Sequence, residues 1–430
     1  MASPETTPIL LALPSLTPSL ALEVLPYGLT IHRFFVQADG RTHDLVIGPE
    51  SPHTHKHIKY TNTIIGRYAN RLPVKELSVS SSRSPEIQAS FTPLPNETPN
   101  VSLHGGQVGF DEKFWEPTPV PPGPGEAELF SGKELSTIES GVATAALFKY
   151  ISEDGEQGYP GKLRVEVLVG LLQPDPLRAS DPGEFNLGSV LIVYRAKLLE
   201  EGKVTPINLT QHTGYNLDAS VDQKVMPIHD HTLTIKGNKT VELHPDMVAT
   251  GQLTSHDSSS PYHFLNHTRI GSRYPEGGYD NFFVFDQTGE QIVKIFKETE
   301  LLDADLVHEI IKPVPGKPAE PKVVLQGSQS GVKLSFATNQ SGVQYYSNSL
   351  SDGSGFKKKI HGGDGRDEKK PGGGYDKGCA TFLEFHEPYP SFLYPGLSPS
   401  GYDTLLTSGE IYNNYLRIDV GYTPRPSASS

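Results

Sequence analysis

Cysteine is nearly absent from this chain: 430 residues contain one, Cys379. No internal disulfide can form, and a reducing compartment, the cytoplasm, is the expected location. Basic residues are in deficit. Lys and Arg number 37 against 50 Asp and Glu, a formal net charge of −13, which argues against non-specific binding to nucleic acid or to an anionic membrane. Long apolar runs are missing too, since none reaches spanning length without a proline or a charge. The segment Met1 to Leu25 has an apolar stretch but no basic leader, and Pro8, Pro14 and Pro18 interrupt it. Residues 1–21 therefore read as an N-terminal tail, not as a signal peptide. No P-loop, dinucleotide fingerprint or zinc motif occurs, so neither cofactor nor metal is expected.

Glycine (42) and proline (37) are abundant, while charged residues make up only 20%; this favours a loop-rich all-β protein over a helical one. Several segments alternate with period two. Val165, Val167 and Val169 do so, as do Val332, Leu334 and Phe336, and Leu416, Ile418 and Val420. Such alternation marks half-buried strands. Turn signals such as Asp154-Gly155, Pro160-Gly161, Gly277-Gly278 and Pro395-Gly396 punctuate them. The fold class expected is all-β, a large antiparallel β-sandwich. One domain is expected over 22–422, with loop excursions at 117–132, 172–188 and 352–374 and a C-terminal tail at 423–430. The glycines and lysines of 352–374 read as a mobile loop outside the core.

Chemistry-bearing residues are scattered along this frame. Glu384 stands in the apolar run Thr381-Phe382-Leu383-Glu384-Phe385, where a carboxylate is costly unless paired or given a task. His104 precedes Gly105-Gly106, and His212 ends Asn208-Leu209-Thr210-Gln211. One carboxylate and two imidazoles suffice for general acid–base chemistry near neutral pH. Arg67, Asn70 and Arg71 offer hydrogen bonds suited to a polyhydroxyl ligand, and also read as groups tying loops together. Asp280, in Gly278-Tyr279-Asp280, also reads as an Asx turn. Gln344, in Gly342-Val343-Gln344-Tyr345-Tyr346, also reads as a cross-strand partner. Phe110 and Trp115 read either as sugar-stacking aromatics or as core. His53, His55 and His57 alternate, but with Pro52 and Lys56 beside them they read as a solvated loop.

The order of these segments is more specific than any one of them. The chain resembles the aldose 1-epimerases, or galactose mutarotases. The resemblance rests on Gly66 to Arg71, Asn100 to Phe110, Asp154 to Gly161, Asn208 to Leu217, Gly278 to Asp280, Ser341 to Tyr346, and Leu383-Glu384. It runs from about Leu22 to Tyr422. It implies the family's large β-sandwich with a sugar site on one concave face and an isomerase activity on a small sugar. Under it Glu384 is the general base and His212 the general acid. His104 stands beside the reacting oxygens, and Asn70, Arg71, Asp280 and Gln344 hold sugar hydroxyls. Departures from the family pattern stand at Thr213-Gly214-Tyr215, Asn281, Phe385-His386 and Pro390-Ser391; they border the implied site and bear on which sugar it takes.

Interconverting anomers of glucose or galactose needs one acid and one base and no redox step. Glu384 is expected ionised and His212 protonated, on opposite sides of one sugar ring. The alternatives are a hexose-6-phosphate 1-epimerase, which needs a cationic pocket, and a non-catalytic sugar-binding protein on the same fold. A hydrolase or lyase needs a second carboxylate, for which Asp280 is the candidate. The expected partner is a small-molecule sugar, with the chain a monomer or homodimer.

Overall fold

Period-two alternation is the organising signal, and in the computed structural model it builds antiparallel sheets. The model describes residues 3–123, 125–179, 181–221, 227–286, 292–312, 320–366 and 368–425. The three alternating runs lie on strands Leu163–Leu172, Val332–Thr338 and Glu410–Tyr422. All three belong to one ten-stranded sheet. Its middle runs Thr144–Ser152, Leu163–Leu172, Phe185–Leu198, Glu410–Tyr422, Val332–Thr338 and Val323–Gln326. A six-stranded sheet is ordered Thr213–Tyr215, Thr381–His386, Gly342–Tyr346, Asp280–Val284, Lys239–Leu243 and Ala249–Ser255. One core cluster joins the two sheets, with Val165, Val167 and Ile418 from the first and Phe283, Val343, Leu383 and Phe385 from the second. The sandwich expected from the sequence is present.

The expectation of half-buried strands is corrected. The second face of the ten-stranded sheet is covered as well: Glu166 is buried, and Leu168 joins a separate cluster with residues of helices Gly132–Gly141 and Leu306–Ile311. The longer helix starts on a capping box between Ser131 and Glu134. Glu134 then turns inward to meet Arg195, Nη2 to Oε1 2.6 Å. A buried carboxylate is tolerable there because a guanidinium matches it.

Several segments expected to lie outside the core are built into it. Residues 1–21 contain strand Ile9–Ala12, which pairs with Leu20–Leu25 in a four-stranded sheet; its Leu11 is core. The stretch 117–132 is tied down by Glu166, whose carboxylate accepts from the backbone N–H groups of Glu128 and Leu129. The stretch 172–188 holds the start of Phe185–Leu198. Of the expected C-terminal tail, residues 426–430 lie outside the described residues. The loop 352–374 is not free of the core. Lys358 is fully buried, and its ammonium donates to Asp44 Oδ2 (2.8 Å) and to the carbonyls of His32 and Val46 (2.7 Å each). His361 is buried beside it, 2.8 Å from the Tyr375 hydroxyl. The lysines that suggested solvent therefore include one that anchors the loop. His55 corrects a further expectation. It is buried, not solvated, with Nε2 3.0 Å from His32 Nδ1. No helix among the described residues is long and apolar enough to cross a membrane.

Removing one partner of a buried ion pair leaves the other charge uncompensated. Lys358→Ala is expected to lower unfolding free energy by about 3–5 kcal/mol, measured by urea denaturation against wild type. A loss below about 1 kcal/mol, the range of exposed pairs, would show that the loop is not held this way.

Candidate active site

Strand alternation decides which side chains leave the core. On Thr381–His386, Leu383 and Phe385 point into the core cluster, so Phe382, Glu384 and His386 take the opposite face. On Gly342–Tyr346, Val343 and Tyr345 are core, which leaves Gln344 and Tyr346 on the other side. Register then assembles them. Gln344 pairs with Glu384 and with Phe282, while Asp280 pairs with Tyr346. The pairing of Thr213 with Leu383 brings His212 beside Glu384. Strand Arg71–Pro73 pairs with Val101–Leu103, Arg71 opposite Leu103, which sets His104 next to Asn70. The turn at His104 needs glycine: a Cβ on Gly105, at φ +88°, would stand 2.1 Å from the Gly66 carbonyl oxygen.

All seven candidate residues, Asn70, Arg71, His104, His212, Asp280, Gln344 and Glu384, line one cavity of about 310 Å³. Polar side chains cross it in a connected row. Asn70 Nδ2 donates to Gln344 Oε1 (3.0 Å), and Gln344 Nε2 donates to Asp280 Oδ1 (2.6 Å). Arg71 lies 3.7 Å from Asp280 and grips Glu97 with two bonds of 2.7 and 2.8 Å. Arg67 is not in the cavity. Its guanidinium is buried on the carbonyls of Pro160 and Gly161 and the Ser152 hydroxyl, the loop-tying role that the sequence also allowed. Phe110 and Trp115 pack on each other and on Tyr150 in the core. The cavity aromatics are instead Tyr60, Tyr346 and Phe382. Tyr346 and Phe382 were within reach of the sequence, each two residues from a candidate on its strand. Tyr60 and Glu97 carry no periodic signal.

His212 Nε2 stands 3.2 Å from Glu384 Oε1. The sequence reading set Glu384 and His212 on opposite sides of a sugar; in the structure the two side chains touch, because neighbouring strands carry them. Tyr60 and Phe382 close over the pair. The Tyr60 ring lies 4.8 Å from His104 and 6.2 Å from His212, and the Phe382 ring 4.9 Å from His212. Burial pushes the Glu384 carboxyl well above its usual range, helped by the Asp280 charge and opposed by Arg71. Burial also lowers His212 to about 4. Both directions run against the expected resting ion pair. Desolvation favours a neutral carboxylic acid against a neutral imidazole, the same proton placed on the other partner. His104 is also pushed well below its usual value, by burial and then by His212 and Arg71. Its Nδ1 accepts from the Asn70 backbone N–H at 3.2 Å, so a neutral ring carries its proton on Nε2.

Ligating atoms of His104, His212 and Glu384 lie within 4.8 Å of one another, close enough for a metal. With Nδ1 occupied as an acceptor, His104 presents an N–H donor and not a lone pair. The trio fits a small molecule with several oxygens better than a cation.

The chain matches the family model described as aldose 1-epimerase over residues 16–365, a span that ends before Glu384. It is 26% identical to the galactose mutarotase of Bos taurus over 400 residues, 92% of this chain and 89% of that one. It is 24% identical to the aldose 1-epimerase of Escherichia coli over 261 residues, 59% and 61% of the two chains. Among solved structures, the aldose epimerase homologue from C. elegans aligns over 97% of this chain and 99% of its own, with TM-score 0.66 and 17% identity. The galactose 1-epimerase of Lactobacillus acidophilus aligns with TM-score 0.61 and 14% identity, over 96% and 98%. At these identities the structures speak for the fold.

A pair that shares one proton works only while it holds that proton. For a pair acting as acid and base, below about 4 His212 gains a second one and the base is lost, and above the raised Glu384 value the shared proton and with it the acid is lost. The acid limb of kcat/KM is expected near pH 4, measured on a sugar after subtracting the spontaneous reaction. An acid limb near the ordinary histidine value of about 6.5 would contradict this.

Proposed function

We propose, for a chain that belongs to the aldose 1-epimerase family, that it interconverts the α and β anomers of a free hexose, glucose or galactose, with Glu384 as base and His212 as acid. The chain is thus an isomerase. The observation that carries the assignment of roles is the 3.2 Å contact between His212 and Glu384 inside the polar-lined cavity. The anomeric hydroxyl and the ring oxygen share one carbon. Their acid and base must therefore be neighbours, as these two are.

The proton ledger closes on the pair. Moving one proton from Glu384 to His212 yields carboxylate and imidazolium with no change in net charge. A sugar favours that form, because its anomeric hydroxyl donates to the carboxylate and its ring oxygen accepts from the imidazolium. Glu384 takes the hydroxyl proton as His212 gives one to the ring oxygen. The bond between the anomeric carbon and the ring oxygen breaks, leaving an open aldehyde. Rotation about the adjacent carbon–carbon bond presents the other carbonyl face. On reclosure His212 recovers its proton from the attacking hydroxyl, and Glu384 returns one to the new anomeric oxygen. The His104 N–H steadies the carbonyl oxygen meanwhile. Asn70, Arg71, Asp280 and Gln344 hold the remaining hydroxyls, already connected to each other before a sugar arrives, which lowers the ordering cost of binding.

No observation favours the phosphorylated substrate. Arg67 is spent on loop carbonyls, Arg71 is paired with Glu97 through two of its donors, and Lys59 at the cavity mouth pairs with Glu112 at 2.7 Å. A phosphate dianion would have to break such pairs. A purely binding protein would gain nothing from a buried carboxyl–imidazole contact. A cytoplasmic setting belongs to the same reading, since the single thiol of Cys379 is free and buried.

Polarimetry on freshly dissolved α-glucose and α-galactose tests the activity. Glu384→Gln is expected to lower kcat about 10²–10⁴-fold, the usual worth of one acid–base group, with the fold kept. A Gln variant near the wild-type rate would remove Glu384 from the chemistry. The free hexose is expected to be converted with a higher kcat/KM than its 6-phosphate; the reverse order would show that an anionic substituent is recognised.

A further inference from the structure

The two strands that carry acid and base are laddered to each other on one side of the catalytic pair only. Thr213–Tyr215 pairs with Thr381–Leu383. On the other side of the pair, Thr210–Gln211 turns away to join Ile64–Ile65. The His212 backbone is bonded there to Asn62 and Thr63, so any further tie to the Glu384 strand on that side comes from another residue.

Asn208 stands at that place and is fully buried. Its carboxamide meets the backbone of Glu387 at two points: Nδ2 donates to the Glu387 carbonyl (3.0 Å), and Oδ1 accepts from the Glu387 N–H (3.0 Å). His386 Nδ1–H donates to the same carbonyl at 2.8 Å. The 3.4 Å approach of Asn208 Nδ2 to His386 Nδ1 thus joins two donors and contributes no bond. The main chain of Asn208 holds a third segment. Its N–H donates to the Arg67 carbonyl (3.0 Å), and its carbonyl accepts from Ala69 N–H (2.8 Å), one residue before Asn70.

We infer that Asn208 is a positioning residue for the proposed reaction, its carboxamide acting as a two-point clamp that fixes the gap between the His212 strand and the Glu384 strand. The inference rests on the roles proposed above for those two residues. A primary amide is suited to the task, since one planar group supplies both the donor and the acceptor that the Glu387 peptide groups require. The side chain and the main chain of Asn208 do different work, and substitution separates them. Asn208→Ala removes the clamp to Glu387 but leaves the backbone bonds to Arg67 and Ala69, so the Asn70–Arg71 side of the sugar site keeps its anchor.

The expected signature is a split between kcat and KM. Misplacing reacting groups by about 1 Å costs up to about 10²-fold, so Asn208→Ala is expected to lower kcat about 10–100-fold with KM changed less than about threefold. Asn208→Asp keeps the acceptor for the Glu387 N–H and loses the amide donor, and is expected to fall between wild type and alanine. A loosened pair also admits water. The His212 ring titration, read by ¹⁵N NMR, is therefore expected to move up from about 4 toward the ordinary value of about 6.5. A folded alanine variant with unchanged kcat, or with kcat and KM altered in proportion, would overturn the inference. If alanine prevents folding, the aspartate variant is judged by the same split. If wild-type protein itself does not act on either hexose, the functional reading fails, and the NMR shift between wild type and variant still decides the clamp.

Discussion

Burial of the Glu384 carboxyl is the constraint on which the rest of this molecule depends. At 1% exposure, an ionised carboxylate with no counter-charge would be prohibitive. The structure sets an imidazole beside it. His212 lies at 3.2 Å, aromatic rings close over the pair, and burial raises the carboxyl while it lowers the imidazole. Under the roles proposed for them, moving one proton over that short contact produces acid and base together. A solvated Glu–His pair would hold its charges separately and lose the acid as pH rose past the ordinary histidine value.

The surrounding scaffold serves that pair at several levels. Alternation along three neighbouring strands sends Leu383, Phe385, Val343 and Phe283 into the core and leaves Glu384, Gln344 and Asp280 facing the cavity. The same hydrophobic burial that holds the sandwich together therefore fixes the direction of the polar groups. Loops supply what sheets cannot. The turn at His104 places an imidazole opposite the strands, held by Asn96, whose side chain bonds the backbone of Leu103 and Gly106. Non-glycine residues in left-handed conformation concentrate here, with Tyr60, Asn70 and His104 at φ 67°, 67° and 53°, a cost tolerated where geometry is over-determined by its surroundings.

The site was legible to an unusual depth because its segments carry local marks. A charged residue in an apolar strand, a histidine before paired glycines and a glutamine within a strand drew notice singly, but it was the order of the segments, through the family resemblance, that selected the seven residues that reached one cavity, while Arg67, Phe110 and Trp115 did not. The core strands were legible locally, since period two survives in Val165, Val167 and Val169. Exposure was not legible. Nothing at Glu166 or Lys358 reveals that a helix layer or an anchored loop excludes water, because a buried, paired charge has the same letter as a solvated one. Residues 1–21 looked like a tail for a related reason: the prolines in it are visible, whereas the partner strand that stabilises Ile9–Ala12 is not.

The sequence by itself determined the all-β class and the sandwich through period-two alternation and turn signals, and the order of its motifs, through the family resemblance, gave the set of groups that meet in the cavity. Only the tertiary structure decided that His212 and Glu384 touch, that Arg67 ties loops while Arg71 lines the cavity, and that Tyr60 and Phe382 close over the pair. Protonation belongs to this second group. The proton's place depends on how much water each partner loses, and that loss is a property of everything packed around Glu384 and His212, distributed over segments hundreds of residues apart in the chain.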